Sequence, residues 1–144
     1  MGIAYGSVPQ LGLIVEVWDG VITGDQWTTH VEKYLGDPER LIQHRSLVDL
    51  TTADASSISD ADEAGIMAMY APHASELAHR KSAALAAREF EPSFAFGTRI
   101  ERLGLKVIVF NDLTVACTWL GVDASDVQPV VRELRAALRA DRDS

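Results

Sequence analysis

The stretch 105–121, LKVIVFNDLTVACTWLG, constrains the fold more than any other part of the chain. Its apolar run at 105–110 has the length and β-branched content of a buried strand. Asn111 or Asp112 then supplies a helix cap, and Gly121 a stop. The brief helix between them returns Leu113, Ala116, Trp119 and Leu120 to the sheet it has just left. A strand followed at once by a helix packed back onto it is the building unit of α/β domains.

The remainder of the chain repeats that alternation. Residues 11–18 read as a strand, Asp19-Gly20 as a turn signal, and Val21-Ile22 as a hairpin partner or a lead-in to the next element. Residues 3–5 form a short strand on an edge. Thr23 with Gln26 has the form of a capping box, and Trp27, Val31, Tyr34 and Leu35 fall on one helical stripe that Gly36 ends. Asp37-Pro38 opens a further helical turn. Residues 46–50 are dense enough in apolar side chains for a central strand. The polar segment 51–58 reads as a loop, and Ser59 with Asp62 opens a helix whose buried face is Ile66, Met67, Tyr70, Ala74 and Leu77, broken at Pro72.

Segment 82–87 sets alanine's helix propensity against its place between two helices, and the place argues for a strand. Pro92 starts a helix carrying Phe94, Phe96, Ile100 and Leu103, which Gly104 closes. Residues 123–140 form an amphipathic helix with Val127, Val130, Val131, Leu134 and Leu138 on one face, Pro129 being tolerable in or near its first turn. Residues 141–144 are expected to fray. The sum is an α/β fold. A four- to five-stranded, mostly parallel sheet carries helices packed on it, in one domain spanning 1–144 with 123–140 as a C-terminal helical extension.

Composition excludes several function classes. At 144 residues and 47% hydrophobic content, the chain suits one compact core. Its apolar runs fall far short of the roughly 20 residues that cross a bilayer, so no integral membrane segment is expected. No Lys or Arg precedes Lys33, so the basic n-region of a signal peptide is missing, and Cys117 has no partner for a disulfide. The expected location is the cytoplasm. A formal charge of −8 repels phosphate backbones, and no nucleic-acid partner is expected. The charge is divided: 46–79 holds acids and no Lys or Arg, whereas 80–106 is mainly basic. That division reads as the solvated faces of successive helices.

The run Val109-Phe110-Asn111-Asp112-Leu113, continued through Ala116 to Trp119-Leu120-Gly121, resembles the closing motif of the SpoIIAA-like branch of the STAS superfamily. The Phe96-Gly97-x-Arg99 turn and the Leu47-Val48-Asp49-Leu50 strand are similar to their counterparts there. The resemblance spans about 11–122. It implies a SpoIIAA-like fold, a kinship with anti-sigma-factor antagonists, and comparison with CRAL-TRIO lipid-binding domains. The antagonists carry a phosphorylatable serine in an Asp-Ser-Ser/Thr-Gly motif after the central strand. Here that loop reads Asp54-Ala55-Ser56-Ser57-Ile58-Ser59, with Ala55 in place of the aspartate and Ile58 in place of the glycine.

Two sets of candidate residues follow. Thr51, Ser56, Ser57 and Ser59 form a candidate interaction or phospho-site loop at a helix N-terminus, where free amides favour an anion. Asp54, Asp60, Asp62 and Glu63 oppose one, and a plain helix cap is the simpler reading. Met67, Tyr70, Phe94 and Phe96 are candidate linings for an apolar pocket, against ordinary core packing. No catalytic residue is assigned, since no nucleophile elbow is present. No metal site is expected, because His30, His44, His73 and His79 lack a second ligand at helical spacing. No cofactor is expected either, because the glycines at 97 and 104 form no phosphate cradle. The preferred reading is a non-enzymatic regulatory or protein-interaction domain. The alternative is a carrier of a small apolar or lipid-like ligand. The stripe at 127–138 either covers its own sheet or joins a second copy in a homodimer.

Overall fold

The computed structural model describes residues 2–87 and 107–143. Five strands, β1 (Ile3–Val8), β2 (Leu13–Val21), β3 (Arg45–Asp54), β4 (Lys81–Leu85) and β5 (Val107–Phe110), lie in the order in which the chain makes them. β1 runs antiparallel to β2, and the other neighbours are parallel. The α/β sheet is therefore mixed but mostly parallel.

Helices cover both faces. α1 (Gly24–Leu35) and α3 (Asp60–Tyr70) are the crossovers on one face, packed over Trp18, Ile22, Leu50 and Ala84. Adjacent parallel strands added in one direction place successive crossovers of one hand on the same face. α5 (Leu113–Leu120) and α6 (Ala124–Asp143) cover the other face over Leu13, Val15, Val17, Leu47 and Leu85. Odd and even residues of β2 thus serve different cores, which is why that strand is an almost unbroken apolar run. The short α2 (Pro38–Leu41) follows Asp37, whose carboxylate accepts from the Glu39 amide. α4 (Ala74–Leu77) follows a 3₁₀ turn at Ala71–His73 containing Pro72, the break expected there.

Local signals account for most helix ends. Thr23 and Gln26 form the reciprocal cap of α1, and Ser59 and Asp62 that of α3. Asp112 caps α5, and Gly121, at φ 81°, ends it in the left-handed region where glycine carries no steric cost. The α6 stripe of Val127, Val131 and Leu138 is buried on its own sheet, so the self-covering reading of that helix holds.

Several expectations need correction. Asp19-Gly20 is not a turn: β2 runs through it, and the register against β3 slips between Val17 and Asp19. Gly20 absorbs that irregularity at φ 79°, while the Asp19 side chain is buried against α6. β3 likewise continues through Thr51 to Asp54, so Thr51 belongs to the strand and not to a loop. Ala74 is exposed rather than buried. Pro129 sits in the second turn of α6, where it leaves the Ser125 carbonyl without its usual donor. Helix α6 continues through 141–143 instead of fraying, because Arg142 is bonded to Asp19. Trp119 is half-buried against Phe110, with ring centroids 5.6 Å apart; Leu120 is the side chain fully enclosed there. The expected helix at 92–104 lies outside the described residues.

Candidate functional site

Between the sheet and the layer of α1, α3 and α4 lies a cavity of about 120 Å³. β2 points Glu16 and Trp18 into it, α1 contributes Trp27 and Tyr34, α3 contributes Tyr70, and Leu77 and Arg80 close it at the end of α4. A charged residue at an inward position of a core strand needs partners, because burying an unpaired carboxylate is costly. Glu16 has them. Its Oε1 accepts from Trp18 Nε1 at 2.6 Å and from His30 Nε2 at 2.8 Å. Burial pushes the Glu16 carboxyl up. The charge and hydrogen bond of His30, the Trp18 N–H and the Arg80 charge outweigh burial and hold it below the usual range. The carboxylate is therefore ionised in a wall made mostly of aromatic and aliphatic side chains.

A web of arginines supports that wall. Arg80 donates to the Tyr34 hydroxyl, to the Gln43 carbonyl at 3.3 Å and to the Arg40 carbonyl at 2.6 Å. Arg40, wholly buried, donates to the Tyr34 and Leu35 carbonyls at 2.6 and 3.1 Å. Burial, partly offset by the Arg80 charge, raises Tyr34 to about 12, so its hydroxyl stays protonated. Tyr5 stacks edge-on against both His30 and Tyr34 and donates to Asp37 at 2.8 Å. His30 is thereby fixed between Tyr5 and Glu16.

The opposite face holds a second polar cluster. Asp19 and Asp49, both buried, meet a row of arginines on α6. Arg135 reaches Asp49 at 2.9 Å, Arg139 reaches Asp19 at 3.2 Å, and Arg142 joins Asp19 as well. The slip in β3 turns Asp49, Thr51 and Thr52 toward the same row, and both threonine hydroxyls accept from Arg135. Burial pushes Asp19 up, but hydrogen bonds from Arg139, Thr52 and Arg142 overcome it and bring Asp19 down to about 2.

A depressed carboxyl stabilises the fold above its unfolded value of 3.8, and that stability drains away as pH falls toward 2. Urea unfolding of the wild type is expected to lose more stability than Asp19→Asn when pH drops from about 5 to about 2.5. Equal losses in the two proteins would show that the arginine clasp does not hold the proton off.

The sequence-predicted residues do not converge on one site. Ser56 and Ser57 occupy an exposed turn. The Ser56 amide donates to Asp54 at 3.0 Å and the Ser57 hydroxyl to the Ile22 carbonyl at 3.1 Å. Ser59 is the α3 cap, its hydroxyl accepting from the Asp62 amide at 3.1 Å. Thr51 faces α6, with its hydroxyl on Asp49 at 2.6 Å. Tyr70 lines the cavity, Met67 is half-buried on α3 apart from its lining, and Phe94 and Phe96 lie outside the described residues. Sequence reasoning missed Glu16, His30, Tyr34 and Arg80 as a group. The available signal was a lone glutamate inside the apolar run of 13–18, at a position whose neighbours two residues away are Ile14 and Trp18. Among the described residues, no helix is long and apolar enough to cross a membrane.

No family model and no curated protein matches the chain. Among solved structures, it is similar to an uncharacterised protein of the DUF3478 family from Shewanella loihica PV-4, described as having a SpoIIAA-like fold. The two are 22% identical, with a TM-score of 0.53, over 83% of this chain and 94% of that one. The expected SpoIIAA-like fold is therefore present.

Proposed function

We propose that this chain is a non-enzymatic regulatory domain that acts in the cytoplasm by binding another protein through α3 and the turn before it. The observation that carries this reading is the outer face of α3. That helix buries only Glu63 and Ile66 and exposes Ala61, Ala64, Gly65 and Ala68. Among the described residues, nothing lies within 4 Å of where a Cβ on Gly65 would stand. Small side chains let a partner's backbone approach closely. Beside the turn, Val21 pairs with Asp54 and is 62% exposed, giving the same end of the molecule an apolar contact. A buried thiol at Cys117 is at home in a reducing compartment.

Ala64→Arg and Ala68→Arg test the proposal. On an exposed helix face each is expected to change stability by no more than about 0.5 kcal/mol. Affinity capture from a lysate of the native host, read by mass spectrometry, is expected to retain a protein with the wild type and lose it with both variants. Identical captures with wild type and variants would sink the reading.

The cavity favours a second role, the binding of a small apolar molecule. Its volume is near that of a buried site able to hold benzene, about 150 Å³, and well short of a lipid chain.

A further inference from the structure

The cavity beneath α1 and α3 has a chemistry more specific than its apolar walls. We infer that it is a binding site for a small neutral aromatic molecule carrying one hydrogen-bond donor, a monocyclic phenol or its amine counterpart, with Glu16 as the acceptor. This deepens the second reading above and rests on it.

Three features of the lining select that class. First, Trp18, Trp27, Tyr34 and Tyr70 bring four rings to a lining whose other apolar members are aliphatic. Planar aromatic bodies pack against such walls edge-on or offset with a gain beyond area alone. Second, the bonds from Trp18 and His30 both converge on Glu16 Oε1. Among the described residues, none donates to Oε2, and the side chain keeps 16% of its surface open where it lines the cavity. Oε2 is thus an acceptor left over on a side chain that lines the cavity. Third, Arg80 is already committed to the Tyr34 hydroxyl and to the Gln43 and Arg40 carbonyls. Three of its five N–H groups are so engaged, and an anion at the cavity would meet Glu16 at close range. A cation fares little better, because Arg80 lies beside the same carboxylate and already offsets its charge. A neutral donor is what remains. The 120 Å³ of space, open on one side, is on the scale of one small aromatic ring.

The test compares 4-fluorophenol with fluorobenzene, which has the same body and no donor, by ¹⁹F NMR titration. Indole N–H resonances of Trp18 and Trp27 report the place of binding. On the wild type, 4-fluorophenol is expected to bind about tenfold or more tightly than fluorobenzene and to shift both indoles. Glu16→Gln keeps the shape of the wall but can turn an amide N–H₂ toward the cavity in place of an acceptor, so it is expected to erase the difference between the probes. Leu77→Phe narrows the space and is expected to weaken both.

Equal affinities on the wild type would overturn the inference while leaving a plain apolar site standing. Binding that leaves the indoles unmoved would overturn it as well. If neither probe binds up to about 1 mM, the inference and the small-ligand reading fall together.

Discussion

Arg40→Ala is expected to lower the free energy of unfolding by about 3–5 kcal/mol, one of the largest single-residue losses in the molecule. The guanidinium is 0% exposed. Its Nε and Nη2 donate to the Tyr34 and Leu35 carbonyls at the end of α1, where the helix ladder runs out of donors. Nη1 reaches Glu76 at 3.5 Å, and the plane lies 5.0 Å from the centre of the Tyr34 ring. Truncation takes both bonds away, leaves the Tyr34 carbonyl with only the long 3.3 Å bond from the Asp37 amide, and removes the support under the Tyr34 ring. Arg40→Lys is expected to recover little, since an ammonium on a flexible stem cannot reproduce the planar fork. Urea denaturation measures both variants. A loss under about 1 kcal/mol for Arg40→Ala would mean that α1 holds its C-terminal turn without this side chain.

The second large effect separates two neighbours. Leu120→Ala is expected to cost about 2–5 kcal/mol, and Trp119→Ala only about 1–2 kcal/mol, despite the far larger side chain removed. Leu120 is 1% exposed, among Val127, Leu47 and Leu85 on the α5–α6 face, and its loss opens a void with no slack around it. Trp119 leans on Phe110 at the edge, with the Lys81 ammonium 4.5 Å from its ring centre and bonded to its carbonyl. Part of the indole already faces water, so its removal forfeits only part of its transfer energy. Thermal or urea unfolding of the two variants decides the order. The reverse order would place the indole, and not the leucine, at the foot of α5.

The contrast marks how far the sequence could be read. Local grammar was legible: Thr23 with Gln26, Ser59 with Asp62, Pro72 and Gly121 each acted as their chemistry dictates, since caps and breakers depend on residues within a few positions. The strand expected at 82–87, which spans Lys81–Leu85, followed instead from its place in the alternation and against alanine's propensity. The strand–helix alternation then led to the right class of sheet. What escaped notice depends on distant partners. Asp19-Gly20 has the composition of a turn, yet Asp19 is claimed by Arg139 and Arg142, 120 and 123 positions away. Thr51 has the composition of a loop, yet Arg135 holds it in β3. The cavity was legible only through Tyr70, because Glu16, His30 and Arg80 come from separate elements and share no spacing. No periodicity within one segment announces a contact between two.

The clasp at Asp19 also bears on how the chain acquires its shape during synthesis. The carboxylate sits near the end of the second strand made, while its guanidinium partners belong to α6, about 120 residues later. Until residues 139–142 have left the ribosome, a nascent chain holds that acid without its neutralising arginines. The part of the sheet that α6 covers, over β1 and β2, is likewise bare until then. Completion of the native core therefore waits for α6, however early the first helices form. The wait leaves one apolar side of the growing sheet exposed to whatever else is nearby.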